Sequence, residues 1–253
     1  MIKPLIARMA QGHRTLGYPR ETPALSTRYL GLPRIDPAKC AADCGACVDS
    51  CPVDAITRVS GRTSLDLGKC LFCGQCVMEC PERAIEFSGE HRMAVRERGH
   101  LVVDGAGEFK NAGGLDSAML RIFGRSFRLR QVSAGGCNAC EADTNVLNTL
   151  AYDLSRFGIQ FVASPRHADG LLVTGPVTRN METALRKTYD AVPDPKVVIA
   201  TGACAVSGGM FSGHGEVFSG AGDILPVDLF IPGCPPHPLT ILDGLLRLLG
   251  KVR

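Results

Sequence analysis

The sequence predicts two unlike domains in one chain, a small α+β domain followed by a larger α/β domain with a doubly wound parallel sheet. Two observations predict this division. Eight of the twelve cysteines fall in two short runs between residues 40 and 80. From residue 127 onward, apolar strand-like segments alternate with segments of helical periodicity. A length of 253 residues is sufficient for both domains.

The second cysteine run has the spacing of a bacterial ferredoxin. Three cysteines at C-x2-C-x2-C precede a fourth that is followed at once by proline, and they are Cys70, Cys73, Cys76 and Cys80. Three thiolates this close in sequence can wrap one cubane iron–sulfur cluster, whereas the fourth cysteine of such a run ligates a different cluster. This run therefore predicts a second one.

The first cysteine run supplies that partner, with Cys40, Cys44, Cys47 and Cys51 followed by Pro52. Both runs continue as Cys-Pro-x-x-Ala-Ile, at 51–56 and at 80–85. This repeat indicates an internal duplication in which each half gives a cluster loop, a short helix and a strand. Ser60-Gly61-Arg62 is typical of a hairpin turn between the halves. Residues 36–90 are thus predicted to form an α+β bacterial two-cluster ferredoxin domain.

The crossing rule assigns four ligands to each of two clusters. Cluster 1 takes Cys40, Cys44, Cys47 and Cys80. Cluster 2 takes Cys70, Cys73, Cys76 and Cys51. The first run opens as C-x3-C, so Cys40 is either a ligand that shifts the potential or a weak ligand beside a three-iron cluster. A structural zinc ribbon is the alternative, but zinc ribbons use two separated cysteine pairs, which two four-membered runs fit poorly.

The segment 127–253 predicts a flavodoxin-like, doubly wound parallel sheet. Strands are expected at 127–132, 159–163, 170–174, 196–201 and 227–231. Helices are expected at about 142–157, 179–191 and 239–249. Each of the remaining cysteines follows the carboxyl end of a strand, and these are Cys137, Cys140, Cys204 and Cys234. Open α/β sheets bind ligands at that edge, so the four thiols predict a third cluster. Four buried, unligated cysteines are the alternative.

Two further segments lie outside these domains. Residues 1–35 form an extended basic arm, whose first ten residues can begin a short amphipathic helix. The arm is either a poorly ordered terminus or a strap on a partner subunit or an anionic membrane surface. Residues 91–126 are a linker and docking segment, ending in the apolar and basic residues that precede Phe127. A solvated loop is the alternative for this segment.

Composition excludes several classes of function. No apolar run approaches the ~18–20 residues that cross a bilayer, and the N-terminus does not resemble a signal peptide. Closely spaced cysteines then favour metal ligation over disulfides and a cytoplasmic protein. A net charge of +3 gives no support for nucleic-acid binding. The glycine-rich stretch 207–222 lacks a phosphate-loop pattern, so no nucleotide site is expected.

Five motifs resemble the small subunit of membrane-bound, energy-converting NiFe hydrogenases of the formate hydrogenlyase type. They lie at 136–141, 163–169, 174–178, 202–204 and 231–236. That subunit is homologous to the N2-cluster subunit of respiratory complex I. The segments 28–33 and 65–70 resemble the two-cluster ferredoxin subunit of the same assemblies. Complex I subunits of this type carry adjacent cysteines at this site, so the Cys137-x-x-Cys140 spacing favours the hydrogenase branch.

The resemblance implies an electron-transfer subunit of a membrane-associated NiFe hydrogenase complex. It would relay electrons through three 4Fe–4S clusters to or from an active site in a separate large subunit, with no catalytic residue of its own. Expected partners are a hydrogenase-type large subunit, membrane-embedded subunits and a further electron-transfer subunit or ferredoxin. The expected location is cytoplasmic and peripheral, on the inner face of the cell membrane.

Glu141 and His167 lie at motif positions beside the third cluster. They either tune its potential, couple it to protons or serve as structural hydrogen-bonding residues. Two alternatives for the whole chain remain open. One is the same relay in a complex I-like oxidoreductase whose large subunit lacks nickel. The other is a free ferredoxin-like carrier, which predicts a monomer without an obligate partner. The electron donor or acceptor, the direction of flow and the coupled ion do not follow from the sequence.

Overall fold

A computed structural model describes residues 2–12, 14–21, 23–41 and 43–252 of the chain. Helix α1 (Ile2–Gln11) opens the chain, in agreement with the amphipathic start of the predicted arm. Residues 1, 13 and 22 of that arm lie outside the described residues. The helix ends at Gly12, whose φ of +62° favours glycine. None of the ten residues of α1 is buried.

The small domain consists of short strands and helices arranged in two matching halves. Its strands are β1 (Pro33–Ile35), β2 (Ile56–Val59), β3 (Arg62–Asp66) and β4 (Ile85–Phe87). The cysteine runs contribute helices α2 (Ala46–Asp49) and α3 (Gln75–Met78). β1 pairs antiparallel with β4, and β2 with β3. The hairpin between β2 and β3 turns at Ser60 and Gly61, as the sequence predicts.

The segment 91–126 contributes to both domains. Strand β5 (Val102–Val103) pairs antiparallel with β3, and so extends the small domain's hairpin to three strands. Val95 forms an antiparallel bridge with Phe230, which lies in the large domain. Helix α4 (Ser117–Phe123) begins after Asp116, whose carboxylate accepts hydrogen bonds from the N–H groups of Ala118 and Met119.

The large domain contains a sheet of five parallel strands, which confirms the predicted parallel sheet. The strands are β6 (Phe127–Ser133), β7 (Ile159–Phe161), β8 (Gly170–Thr174), β9 (Val197–Thr201) and β10 (Leu229–Ile231). Each boundary lies within two residues of its predicted position. Numbered from β6, the spatial order is 2-1-3-4-5, which is one of the common orders of doubly wound sheets.

The sheet buries apolar side chains on both faces. Along β9, Val197 and Ile199 belong to one apolar cluster, whereas Val198 and Ala200 belong to the other. Successive side chains of a strand point to opposite faces, so both faces are covered. The face that carries Val198 and Ala200 is continuous with the apolar core of the small domain, and the face that carries Val197 and Ile199 packs against helix α8 (Pro238–Leu248). The two domains therefore share one core layer.

Three further helices connect the strands of this sheet. They are α5 (Ala139–Val146), α6 (Arg179–Ala191) and α7 (Ala203–Ser207). Helix α6 matches its prediction, but the predicted helix at about 142–157 is wrong in its bounds. It begins earlier and ends at Val146, and a separate 3₁₀ turn follows at Leu154–Phe157. The two do not form one helix, because Asp153 between them adopts a φ of +45°, which a continuing helix does not permit.

Part of the N-terminal arm is bound to the large domain. The N–H of Leu16 donates to the carbonyl of Ala151 at 2.8 Å. The Tyr18 hydroxyl donates to Asp243 Oδ1 at 2.5 Å, and Asp243 Oδ2 accepts from Arg247 Nε at 2.7 Å. The arm is therefore held in place from Leu16 to Tyr18. No helix among the described residues is long and apolar enough to cross a membrane.

Candidate metal centres

Four thiols predicted to share cluster 1 line one cavity in the small domain. This first thiol set consists of Cys40, Cys44, Cys47 and Cys80. The other walls include the apolar side chains of Ile35 and Ile85. Cys40 faces the same cavity as the other three despite its longer spacing, and its Sγ lies 3.4 Å from Thr63 Oγ1. The extra residue of the C-x3-C spacing therefore does not remove Cys40 from the set.

Two residues that could not be identified from the sequence support the first thiol set. Arg58 donates hydrogen bonds to the carbonyl of Cys44 and, at 2.7 Å, to that of Ala41. The guanidinium thus closes the loop between the first two cysteines. Thr63 is buried and contacts Cys40. Both come from the β2–β3 hairpin, and cysteine spacing carries no signal for a contact made by a neighbouring hairpin.

The second thiol set, Cys51, Cys70, Cys73 and Cys76, lines a second cavity. Apolar side chains of Ile56, Leu65 and Phe87 complete its walls. Burial raises the pKa of Cys70 to about 12 and, together with the neighbouring Cys73 thiol, that of Cys76 to about 11. Thiols of this kind form a stable set of thiolates only when iron offsets their charge, because metal ligation and deprotonation are coupled.

The two crossing cysteines have matching surroundings. The N–H of Ala55 donates to Cys51 Sγ at 3.2 Å, and the N–H of Ala84 donates to Cys80 Sγ at 3.2 Å. Three residues after each cysteine, Asp54 and Arg83 both adopt a φ of +50°. Hydrogen bonds to ligating sulfurs are among the factors that set the potential of an iron–sulfur cluster. The duplication in the sequence is therefore also a duplication of the sulfur environment.

The third thiol set, Cys137, Cys140, Cys204 and Cys234, converges at the carboxyl edge of the large sheet. Burial, followed by the charges of Cys204, Glu141, Cys234 and Cys137, raises the pKa of Cys140. Burial and the charges of Cys234 and Cys137 raise the pKa of Cys204 to about 11. Cys137 and Cys234 are exposed, whereas the other two are partly buried. One side of this set therefore opens at the surface.

Two glycines permit the close approach of backbone to these thiols. A methyl group on Gly202, at φ +91°, would lie 2.5 Å from Cys140 Sγ. One on Gly209, at φ +57°, would lie 2.7 Å from Cys204 Sγ. Either distance is shorter than van der Waals contact, so a side chain at these positions displaces the thiol. Glycine at both positions is what leaves room for four sulfurs at this edge.

Glu141 is buried next to the third thiol set. Thr174 Oγ1 donates to Glu141 Oε1 at 2.7 Å. Burial alone would raise the pKa of Glu141, but hydrogen bonds from Ser133 and Thr174 hold it below its ordinary value. The carboxylate therefore stays charged, and its charge contributes to the raised pKa of Cys140 and Cys204. The charge of Glu141 therefore disfavours any further negative charge at the third thiol set.

His167 is placed differently from Glu141. It ends the 3₁₀ turn Pro165–His167 and its side chain is exposed. Its backbone N–H donates to the carbonyl of Ser164 at 3.1 Å. Among the described residues, its imidazole has no hydrogen bond or ion pair with the third thiol set. A role for His167 beside the cluster stays a prediction.

A cleft joins the second and third thiol sets. Cys73 and Cys234 both line it, together with Phe72, Met93 and the segment 232–237. Tyr29 forms part of the same wall, where its ring lies 5.0 Å from that of His237. The Tyr29 hydroxyl lies 3.2 Å from Thr240 Oγ1 on α8. One cysteine of each set therefore faces the same cleft.

A single metal ion does not account for these sites. Within the described ranges, no group of three or more histidine, cysteine, aspartate or glutamate side chains is arranged to hold one metal ion. A cubane holds its four thiolates on separate irons and so spreads them more widely than one zinc ion does. Four cysteines are the ligand set of a 4Fe–4S cluster, and the N–H donors to sulfur and the apolar walls are among the factors that set its potential.

Comparison with known families agrees with this chemistry. The 4Fe–4S dicluster domain matches residues 32–88, and the family described as NADH ubiquinone oxidoreductase, 20 kDa subunit, matches residues 137–248. A probable membrane-bound hydrogenase subunit of Pyrococcus furiosus is 43% identical over 134 residues, which are 53% of this chain and 80% of that protein. The chain belongs to this 20 kDa subunit family. It is a 4Fe–4S protein and a subunit of an oxidoreductase.

Two other members of the family are similar to the chain. Formate hydrogenlyase subunit 7 of Escherichia coli is 43% identical over 136 residues, which are 54% of this chain and 53% of that protein. An NADH-quinone oxidoreductase subunit of Bacteroides thetaiotaomicron is 44% identical over 117 residues, which are 46% of this chain and 59% of that protein. The family thus includes both hydrogenase and complex I subunits, as the resemblance implied.

Proposed function

We propose that this chain is the electron-transfer subunit of a membrane-associated NiFe hydrogenase complex, and that it holds three 4Fe–4S clusters in series. The cleft lined by both Cys73 and Cys234 is the observation that carries the proposal. One cysteine of the second thiol set and one of the third line this same cleft, which supports electron transfer between the two proposed clusters. A two-cluster ferredoxin domain alone would be a carrier, whereas this juxtaposition makes it the outer part of a relay.

The order of the three sites follows from their contacts. The charge of Cys47, in the first thiol set, contributes to the raised pKa of Cys76 in the second. The second set then faces the third across the cleft. At the far end, Cys137 is exposed. The relay thus runs from the first set through the second to the third, whose exposed side meets the large subunit that carries the active site.

The chain's own residues hold, insulate and tune the sites. When bound, 4Fe–4S clusters supply one-electron chemistry over a wide range of potentials. The cysteines fix them, and apolar side chains such as Ile35, Ile85 and Leu65 exclude water from the first two sets. Backbone N–H groups donate to Cys51 and Cys80, and the Glu141 charge acts on the third set. Each of these factors sets the potential of a cluster.

Iron and sulfide analysis of the anaerobically purified chain tests the number of clusters. Three cubanes give about twelve irons per chain. Cys204→Ala should lower this by about four irons, while the absorbance of the other two clusters remains. A count near eight in the unaltered chain would exclude the third cluster. An equal count in the unaltered chain and in the Cys204→Ala protein would exclude Cys204 as a ligand.

A second candidate keeps the relay but changes its partner. The 44% identity to an NADH-quinone oxidoreductase subunit favours a complex I-like enzyme whose large subunit lacks nickel. Against it stands the Cys137-x-x-Cys140 spacing, which favours the hydrogenase branch. Nickel analysis of the complete complex separates the two. Nickel in a one-to-one ratio to this chain, with hydrogen-dependent dye reduction, supports the hydrogenase, and its absence with quinone reduction supports the alternative.

The proposed partners are a hydrogenase-type large subunit, membrane-embedded subunits and a further electron-transfer subunit or ferredoxin. The relatives named as membrane-bound hydrogenase and formate hydrogenlyase subunits support this assignment. The proposed location is peripheral, at the cytoplasmic face of the membrane. The exposed thiol Cys137 marks the side that faces the large subunit.

A further inference from the structure

Helix α1 presents an apolar stripe that no other part of the chain described by the structure covers. Ile2, Leu5, Ile6 and Met9 recur at the spacing of one helix face, and they are 72%, 62%, 58% and 79% exposed. Each residue of the helix is exposed to solvent. A stripe of this kind is costly to leave in water when the helix has no tertiary packing, because short isolated helices are marginally stable. It therefore indicates a surface outside the chain.

The charges around the stripe are all positive. Residues 2–20 contain Lys3, Arg8, Arg14 and Arg20 and no acidic residue. At 3.6 residues per turn, Lys3 and Arg8 lie on opposite flanks of the stripe. Arg8 also donates to the carbonyl of Gly12 at 2.9 Å, and so supports the end of the helix. Long cationic side chains on the flanks of an apolar face can reach lipid headgroups while their stems lie against acyl chains.

The helix is tethered at a fixed point on the large domain. Residues 12–15 join it to Leu16, which is bonded to Ala151. Four extended residues span at most about 14 Å, so the helix cannot move far from this anchor. Arg156 Nη2 donates to the carbonyls of Leu16 and Tyr18, at 2.8 and 3.0 Å. Next to the anchor, Leu150 is 81% exposed.

We propose that α1 is an interfacial anchor that binds the surface of an anionic lipid bilayer. The stripe of Ile2, Leu5, Ile6 and Met9 enters the boundary between headgroups and acyl chains, and Lys3 and Arg8 contact the headgroups. This inference deepens the membrane association proposed above, but it does not depend on the number of clusters or on the identity of the large subunit.

Vesicle sedimentation of the full, cluster-containing chain tests the proposal. The chain should bind vesicles of equal parts phosphatidylcholine and phosphatidylglycerol, and bind phosphatidylcholine vesicles at least tenfold more weakly. Combining Leu5→Glu with Met9→Glu should abolish binding. Combining Lys3→Gln with Arg8→Gln should weaken binding to the anionic vesicles roughly fivefold per cation, since each contributes about a factor of five near such a surface.

Matched variants separate the helix from general surface effects. Val59→Glu changes an exposed apolar residue elsewhere, and Lys110→Gln with Lys187→Gln removes the same charge elsewhere. Both should bind like the unaltered chain. All variants should retain the same iron content, because every altered residue is exposed.

Equal binding to both kinds of vesicle, or unaltered binding by the Leu5 and Met9 variant, would overturn the proposal. So would a chain that binds no vesicles but whose α1 becomes protected from protease in the assembled complex, since that result identifies a protein partner. Neither outcome would change the iron count, so failure of the anchor is distinguishable from failure of the relay.

Discussion

The two domains bring their cysteines together in different ways. In the small domain, short runs of sequence wrap a cavity, and one crossing cysteine from the other run completes each set. In the large domain, three separate strand ends bring the third set together, from residues 137 to 234. In the small domain, folding therefore depends on the occupied thiol sites. In the large domain, the thiol site lies at the edge of a sheet that is stabilised by its own apolar core.

This difference predicts in which domain the loss of a cysteine ligand disrupts the fold and in which it removes only the cluster. The helices α2 and α3 have only four residues each, too short to be stable by themselves. The large sheet buries long apolar side chains on both faces without any help from the third set. A missing cluster should therefore disorder the loops of the small domain and leave the large sheet folded.

The largest expected effect comes from removing one cysteine from each domain. Cys51→Ala should lose about four irons per chain and open residues 40–90 to protease, because a crossing ligand joins the two halves. Cys140→Ala should lose the same amount of iron but leave the protease pattern and the far-UV circular dichroism unchanged. Iron analysis with limited proteolysis checks both variants. Equal protease sensitivity in the two variants would contradict the inference that only the small domain depends on its clusters for folding.

A smaller and more local effect is expected at Gly202. Gly202→Ala places a methyl group against Cys140 Sγ and should remove only the third cluster, about four irons. Gly213→Ala is the matched control, since Gly213 has a φ of +83° and no atom within 4 Å of the added methyl. It imposes the same kind of backbone strain without the collision. Loss of iron in both variants would assign the effect to backbone strain and not to contact with the thiol.

The smallest expected effect concerns the loop between Cys40 and Cys44. Arg58→Gln removes guanidinium hydrogen bonds to the carbonyls of Ala41 and Cys44, and bonds to a charged group contribute about 1.5–3 kcal/mol each. The first cluster should then be lost faster in air, while the second and third decay as before. Arg62→Gln, an exposed position on the same hairpin, should decay like the unaltered chain. The time course of cluster absorbance and electron spin resonance distinguishes these cases.

The sequence predicted most of what depends on local spacing. The sets formed by the two cysteine runs, the repetition after Cys51 and Cys80, and the bounds of β8 and α6 all follow from periodicity or from short motifs. The third set required only the rule that parallel strands end at one edge of a sheet. The cysteine runs, the repeat and the bounds of these elements are encoded within a few residues of one another, and they can therefore be read from the sequence.

Features that depend on distant parts of the chain could not be read in this way. Helix α5 ends at Val146, where the backbone hydrogen bonds change to the i to i−3 pattern, although the leucine periodicity continues past Val146. Arg58 and Thr63 support the first thiol set from another hairpin. The contact of Tyr18 with Asp243 joins positions 225 residues apart. Nothing in the local pattern of either partner indicates such contacts, because each is created by tertiary packing.

The segment that carries Val95 and β5 has a consequence for assembly. Its backbone is hydrogen-bonded to Phe230 in one domain and to β3 in the other. If the two domains were separate proteins, Cys73 and Cys234 would lie close together only when the proteins associate. The fraction of associated protein would then vary with concentration. Here one polypeptide establishes that spacing as it folds, before any partner binds. The spacing between these two thiol sets is thereby independent of how much of the complex has been assembled.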